Sequence, residues 1–235
     1  MKVDNPPTSP YNDYIVSNRT HKGNQMALME KTLWEAVKEY ELRIPMTYED
    51  FLTELADDVH AEWVDGETVL FMPPNPDHQR VVSFLIAIIR FYVDLFQLGE
   101  ILPAPIEMKP TPTSNAREPD ILFVAAQNLG RFGRNKLEGA ADLVIEVVSP
   151  ESVKRDTVEK RNEYEAVGVR EYWIIDVRPG YEEAIFYVRD ETGHFQAVKP
   201  NDEGTYHSSV LASFWLNINW LWAKPQPSVP AVIAQ

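Results

Sequence analysis

The chain has 235 residues, 44% hydrophobic and 25% charged, the balance of an ordinary globular protein of one domain or at most one and a half. It carries no cysteine, which excludes disulfides and cysteine-based zinc sites and fits a reducing cytoplasm. Its formal charge of −14 excludes broad adhesion to nucleic acid through a basic surface, but not a local site where metal ions offset carboxylates.

Residues 1–25, with "PPTSP" and "NRTHKGN", read as a flexible polar segment without the basic-then-apolar profile of a signal peptide. "ALMEKTLWEAVKEYEL" sets Leu33, Trp34, Val37 and Tyr40 at helical spacing and predicts an extra amphipathic helix over 26–45, ended by Pro45. Thr47 with Asp50 resembles a capping box that opens a short helix through Leu55. "AEWVDGETVLFM" is two strand-like runs around Asp65-Gly66, a strong hairpin signal.

The longest apolar run, "VVSFLIAIIRFYVDLF" from Val81 to Phe96, is interrupted by Arg90 and Asp94. It is also shorter than the ~20 residues that a membrane-spanning helix needs. It predicts a helix buried in the protein from about Asp77 to Leu98, stopped at Gly99, and no membrane segment. Strands follow at "ILPAPIEMK", "PDILFVAA" and "DLVIEVV". A polar helix spans roughly Val153 to Val167 with Gly168 as its stop, and "EYWIIDV" is another strand. "EEAIFYVRDETGHFQAVK" reads as a hairpin turning at Thr192-Gly193, and "FWLNINWLW" packs before a proline-containing tail over 224–235.

Three polar residues sit where an ordinary core would not place them. Glu146 interrupts the run Leu143, Val144, Ile145, Val147, Val148, which otherwise reads as a strand buried on both faces. A carboxylate there is costly unless it is paired, protonated or bound to a cation. Asp120 follows Pro119, and proline is acceptable at a strand entrance, so Asp120 belongs at a sheet end, near a cleft. Lys160 shares a helical stripe with Val153, Tyr164 and Val167, with Asp156 one turn before it, so this lysine points inward. A helix that folds back over its preceding strand would bring Lys160 to Glu146. The glutamate is then offset by that lysine, by a cation shared with Asp120, or by both.

Two carboxylates converging on a divalent ion beside a lysine suit phosphodiester hydrolysis, in which the ion acidifies a water and the lysine stabilises developing charge. Hard oxygen ligands suit Mg²⁺ or Mn²⁺ rather than zinc. The carboxylate pair also suits glycoside hydrolysis, but the buried lysine and the lack of an aromatic sugar platform make that reading weaker.

"EPDILFV", "DLVIEVVSP" and "RDTVEKRNEYEAVGVREYWIID" together resemble the Uma-two family of restriction-endonuclease-like proteins, within the PD-(D/E)XK nuclease superfamily. The resemblance runs over roughly 46–222 and includes "MTYEDFL", "AEWVDGETVLF" and "PDHQRVVSFL". It implies an α/β (α+β) fold over 46–223, a central mixed β-sheet flanked by helices. It also implies Asp120 and Glu146 as metal ligands and Lys160 as the catalytic lysine. The superfamily's usual lysine position, two residues after the acid, is Val148 here; the Uma-two pattern carries its lysine on the following helix. Glu62 and His78 also match family positions, and with Tyr164 they are the accessory candidates. The reading is a cytoplasmic, Mg²⁺-dependent (or Mn²⁺-dependent) endonuclease acting on DNA. The alternative is a nuclease fold kept as an inactive binding or regulatory module. A homodimer is expected through "FWLNINWLW" or the N-terminal helix.

Overall fold

The computed structural model describes residues 41–55, 59–71 and 74–235. By internal contacts the chain divides into two units, Met1–Met72 and Pro73–Gln235.

In the first unit, strand β1 (Glu41–Pro45) pairs with β3 (Glu67–Phe71), which pairs with β2 (Ala61–Val64), all antiparallel. Asp65 and Gly66 make the β2–β3 turn with φ of 51° and 85°, the left-handed conformation that this dipeptide favours. Helix α1 (Tyr48–Glu54) is capped by the Thr47 side chain, which accepts from the Asp50 N–H, as the capping pattern implies. Tyr48 lays its ring against Phe51 and Trp63, joining the helix to the hairpin. The helix expected over 26–45 is corrected at its end: residues 41–45 are a strand. Leu42 and Ile44 alternate with exposed Arg43 and Pro45, and ladder pairing to β3 outweighs the helical period running in from upstream. The remainder of that prediction, 26–40, and the segment 1–25 lie outside the described residues.

The second unit is built on a six-stranded mixed sheet in the order β11-β10-β9-β8-β6-β4. Its strands are β4 (Gly99–Pro103), β6 (Ile121–Ala125), β8 (Leu143–Val148), β9 (Glu171–Asp176), β10 (Glu183–Arg189) and β11 (Phe195–Val198), while β5 (Glu107–Met108) and β7 (Lys136–Leu137) pair with each other outside it. Only the central pair β8–β9 is parallel, and a parallel pair needs a crossover. Here that is a π-helical turn, Arg155–Lys160, running into α3 (Arg161–Val167), which Gly168 ends at φ 93°.

Alternation along β8 divides two cores. Leu143, Ile145 and Val147 join a cluster with α2 (Pro76–Phe96), while Val144 and Val148 join a second with Tyr164 of α3 and Tyr172. Glu146 therefore lies on the α3 face. Helix α2 closes at Gln97, in the left-handed region at φ 53°, two residues before the expected stop. Gly99 serves a different need: at φ 151° a side chain there would collide with the Val124 carbonyl of the neighbouring strand.

The C-terminal segment covers the α2 face. Strands β12 (Thr205–His207) and β13 (Trp215–Asn217) pair, and short helices α4 (Asn219–Trp222) and α5 (Val229–Ile233) follow. Phe214, Leu216, Leu221 and Val232 are buried in that core, so much of "FWLNINWLW" is spent inside the chain and the expected tail carries a helix. One buried acid fastens this segment. Glu171 accepts from Trp173 Nε1 and Tyr206 OH on one oxygen, and from Ser208 Oγ, Ser209 N, Ser209 Oγ and Val210 N on the other.

Replacing Glu171 with Ala removes the acceptor of six donors and strands those of Trp173 and Tyr206 in the interior. We expect a loss of ~3–5 kcal/mol in urea denaturation, the cost of breaking a buried charged network from one side.

Candidate active site

The β6–β8 ladder aligns Ile121 with Ile145, and the register continued by one residue sets Asp120 against Glu146. Asp120 Oδ2 accepts from the Val147 N–H at 2.7 Å, which fastens its carboxylate to the strand that carries Glu146. The same oxygen lies 3.1 Å from His78 Nε2. His78 is in the first turn of α2, where its own N–H donates to the capping side chain of Asn75 at 3.0 Å. So His78 both closes the helix end locally and reaches the acid.

Glu146 Oε1 accepts from Lys160 Nζ at 2.9 Å and from Tyr164 OH at 2.8 Å. The π-helical crossover folds back over the α3 face of β8 and delivers both donors one turn apart. The ion pair is deeply buried, with side-chain exposures of 3% for Glu146 and 4% for Lys160, whereas Asp120 keeps 22% and is the acid open to solvent. Asp120, Glu146, Lys160, Tyr164 and His78 thus form one connected group. Glu62 is buried on β2 of the first unit.

Asp156, noticed in the sequence only as a neighbour of Lys160, belongs to the same group. It is buried, 3.8 Å from Lys160 Nζ, and its charge is felt at His78. Burial lifts its carboxyl pKa above the ordinary value, against the pull of Lys160, Arg155 and a Ser152 hydrogen bond, and the charge of Asp120 adds to the rise. For His78, burial pulls the imidazole pKa down. The hydrogen bond and charge of Asp120, with the charges of Asp156 and Glu151, outweigh it, and the net shift is upward.

The donor set fits a hard divalent cation. Asp120 and Glu146 offer carboxylate oxygens from adjacent strands, and Mg²⁺ is commonly held by one or two carboxylates with water and substrate phosphate completing its shell. Among the described residues no three His, Asp or Glu side chains are spaced to enclose an ion by themselves. A cleft of about 340 Å³ is lined by Asn75, Pro76, Asp77, Arg80, Pro150 and Arg178 among others, residues that flank His78 and the end of β8 in sequence. Both guanidinium groups there are paired, Arg80 with Asp77 and Arg178 with Asp176.

A mixed sheet flanked by helices, carrying an acid at one strand entrance, a second inside its neighbour and a lysine from the crossover helix, is the restriction-endonuclease-like class. The chain belongs to the Uma2 family, described as "Putative restriction endonuclease", whose family model matches residues 46–219. No match is found among curated proteins. Among solved structures, "a putative nuclease belonging to DUF820" from Anabaena variabilis superposes with a TM-score of 0.60 at 19% identity, covering 76% of this chain and 98% of that one. At that identity the likeness establishes the fold. Among the described residues no helix is long and apolar enough to cross a membrane.

Removing the ammonium leaves Glu146 charged and buried, so Lys160→Ala should cost ~3–5 kcal/mol in urea denaturation without added metal. Lys154, 82% exposed and paired with Glu159, is the control; Lys154→Ala should stay within about 0.5 kcal/mol.

The raised imidazole pKa gives a pH dependence. The folded state holds the His78 proton more tightly than the unfolded chain, so this contribution is complete below the ordinary value of 6.5 and is lost as pH rises through the folded value. NMR titration should find the His78 midpoint above 6.5, and Asp120→Asn should lower it, since burial is then opposed only by the more distant charges of Asp156 and Glu151.

Proposed function

We propose that the chain is a divalent-cation-dependent endonuclease that hydrolyses phosphodiester bonds in DNA. The observation that supports this reading is the buried Glu146–Lys160 pair beside Asp120, two carboxylates and one ammonium brought together on neighbouring segments of the central sheet and its crossover. Membership of a family described as restriction endonucleases supports it.

In this reading Asp120 and Glu146 would hold a Mg²⁺ or Mn²⁺ ion, which would supply Lewis-acid activation of water and phosphate. Asp120, the more exposed acid, faces the substrate side, and the Val147 N–H and His78 fix its carboxylate in one orientation. Glu146 is fixed by Tyr164, a neutral donor that leaves its charge available. Lys160 balances the two acids while the site is empty and stabilises negative charge developing on the phosphate when substrate is present. The acidity of the whole chain agrees with a site that meets DNA through a bound cation rather than a basic surface. Glu62 remains an accessory acid in this proposal, and cytoplasmic location and a homodimer belong to it as well.

The test is cleavage of supercoiled and linear DNA by purified protein in Mg²⁺ or Mn²⁺. Wild type should cut, chelator should stop it, and Asp120→Asn and Glu146→Gln should each lower the rate by at least ~100-fold. Lys160→Ala should lose rate while still binding Mn²⁺. A wild-type protein that binds Mn²⁺ at these acids yet cuts no form of DNA would instead support the non-catalytic binding module.

A further inference from the structure

The proposed site leaves one acid without a task. Asp156 sits on the π-helical turn, four residues before Lys160, and is 2% exposed. Its Oδ1 has no hydrogen-bond partner among the described residues. Lys160 Nζ and Arg155 Nε each lie 3.8 Å from this oxygen, beyond hydrogen-bonding reach. An acceptor left unsatisfied in the interior is costly, and in native structures such atoms call for an explanation in strain, a catalytic role or a bound water or ion. π-Helical turns inside helices are themselves frequent at functional sites.

The surroundings show when this acceptor would be used. Lys160 Nζ now sits 2.9 Å from Glu146 Oε1, on a carboxylate that the proposed cation must share. A divalent ion bound at Glu146 would repel the ammonium, and a buried ammonium that shifts away from one carboxylate is stabilised by facing another. Asp156 Oδ1 lies 3.8 Å from that ammonium. A shift of about 1 Å closes the gap to the length of a charge-assisted hydrogen bond. The exchange also balances charge: the ion faces Asp120 and Glu146, and the ammonium faces Asp156.

We propose that Asp156 is a positioning residue that receives the Lys160 ammonium when a divalent cation occupies Glu146. Asp156 does not touch the cation; it makes the vacated position of Lys160 affordable and keeps the ammonium beside the reacting phosphate. The inference deepens the reading of Asp120 and Glu146 as cation ligands and rests on it. Arg155 is the competing cation at the same oxygen, and its Nε carries an equal separation but no link to Glu146.

The experiment is a double-mutant cycle on Mn²⁺ affinity, measured calorimetrically on wild type, Asp156→Asn, Lys160→Met and the double variant. Asp156→Asn should weaken Mn²⁺ binding roughly tenfold in the wild-type background, a coupling ordinary for residues in contact. In the Lys160→Met background the same change should cost less than about twofold, since no ammonium then needs a place. An equal loss in both backgrounds overturns the proposal, because a direct ligand or a general field effect would act that way. No loss in either also overturns it. A wild-type protein that fails to bind Mn²⁺ overturns the underlying reading of the acids instead. Lys160→Met leaves Glu146 buried without its cation, so a second measurement stands apart from its folding. A crystal structure of the wild-type Mg²⁺ complex should place Lys160 Nζ within hydrogen-bonding distance of Asp156 Oδ1. An ammonium still on Glu146 Oε1 with Mg²⁺ bound overturns the proposal.

Discussion

The fold of the second unit depends on one interaction, the ion pair between Glu146 in the middle of β8 and Lys160 on the returning crossover. A charged carboxylate in a central strand cannot be left alone in the interior. The chain must therefore bring a cation to that face of the sheet, and the crossover that does so is also the element that makes β8 and β9 parallel. The Glu146 oxygen that takes the ammonium also takes the Tyr164 hydroxyl, so the helix is fixed at two points one turn apart. Removing either partner would strand a charge, whereas replacing both would change the site without stranding one.

Three buried acids in and beside the sheet differ in how they are held. Glu171 is saturated by six donors, none of them a cation, and it ties the C-terminal segment to β9. Asp142 accepts from the Ala125 N–H and from Asn128 Nδ2 and fastens the end of β6. The donors to Glu171 are all neutral, while Asp142 adds to its two neutral donors a longer ion pair with Arg170 at 3.6 Å. Glu146 is balanced by the buried ammonium of Lys160, next to Asp120, an acid still partly open to solvent. In the proposed reading, that neighbouring acid is what lets a divalent cation compete with the lysine at Glu146.

How much of this was legible in the sequence follows from the range of the interactions. Glu146 stood out because a charge inside an apolar run breaks a period-2 pattern, and Lys160 because a polar helix has few inward positions; both signals are local. The pairing of Asp120 with Glu146 depends on strand register between segments 26 residues apart, which periodicity does not encode. Asp156 was visible four residues before Lys160, yet that spacing reads as an ordinary surface ion pair, and nothing local announces a π-helical turn or an unsatisfied oxygen. His78 was visible as a helix-start residue, and its contact with Asp120 again required the tertiary fold. The strand at 41–45 was hidden because "EYEL" continues a helical period, while its alternation of Leu42 and Ile44 covers too few residues to compete until β3 pairs with it.

The central claim is that the buried lysine holds the place of a divalent cation at Glu146 and Asp120. Anomalous scattering from crystals soaked in Mn²⁺ tests it most directly. The account predicts one strong manganese peak within coordination distance of carboxylate oxygens of both Asp120 and Glu146. Crystals that show manganese only elsewhere, or none at this position at saturating concentration, would contradict it.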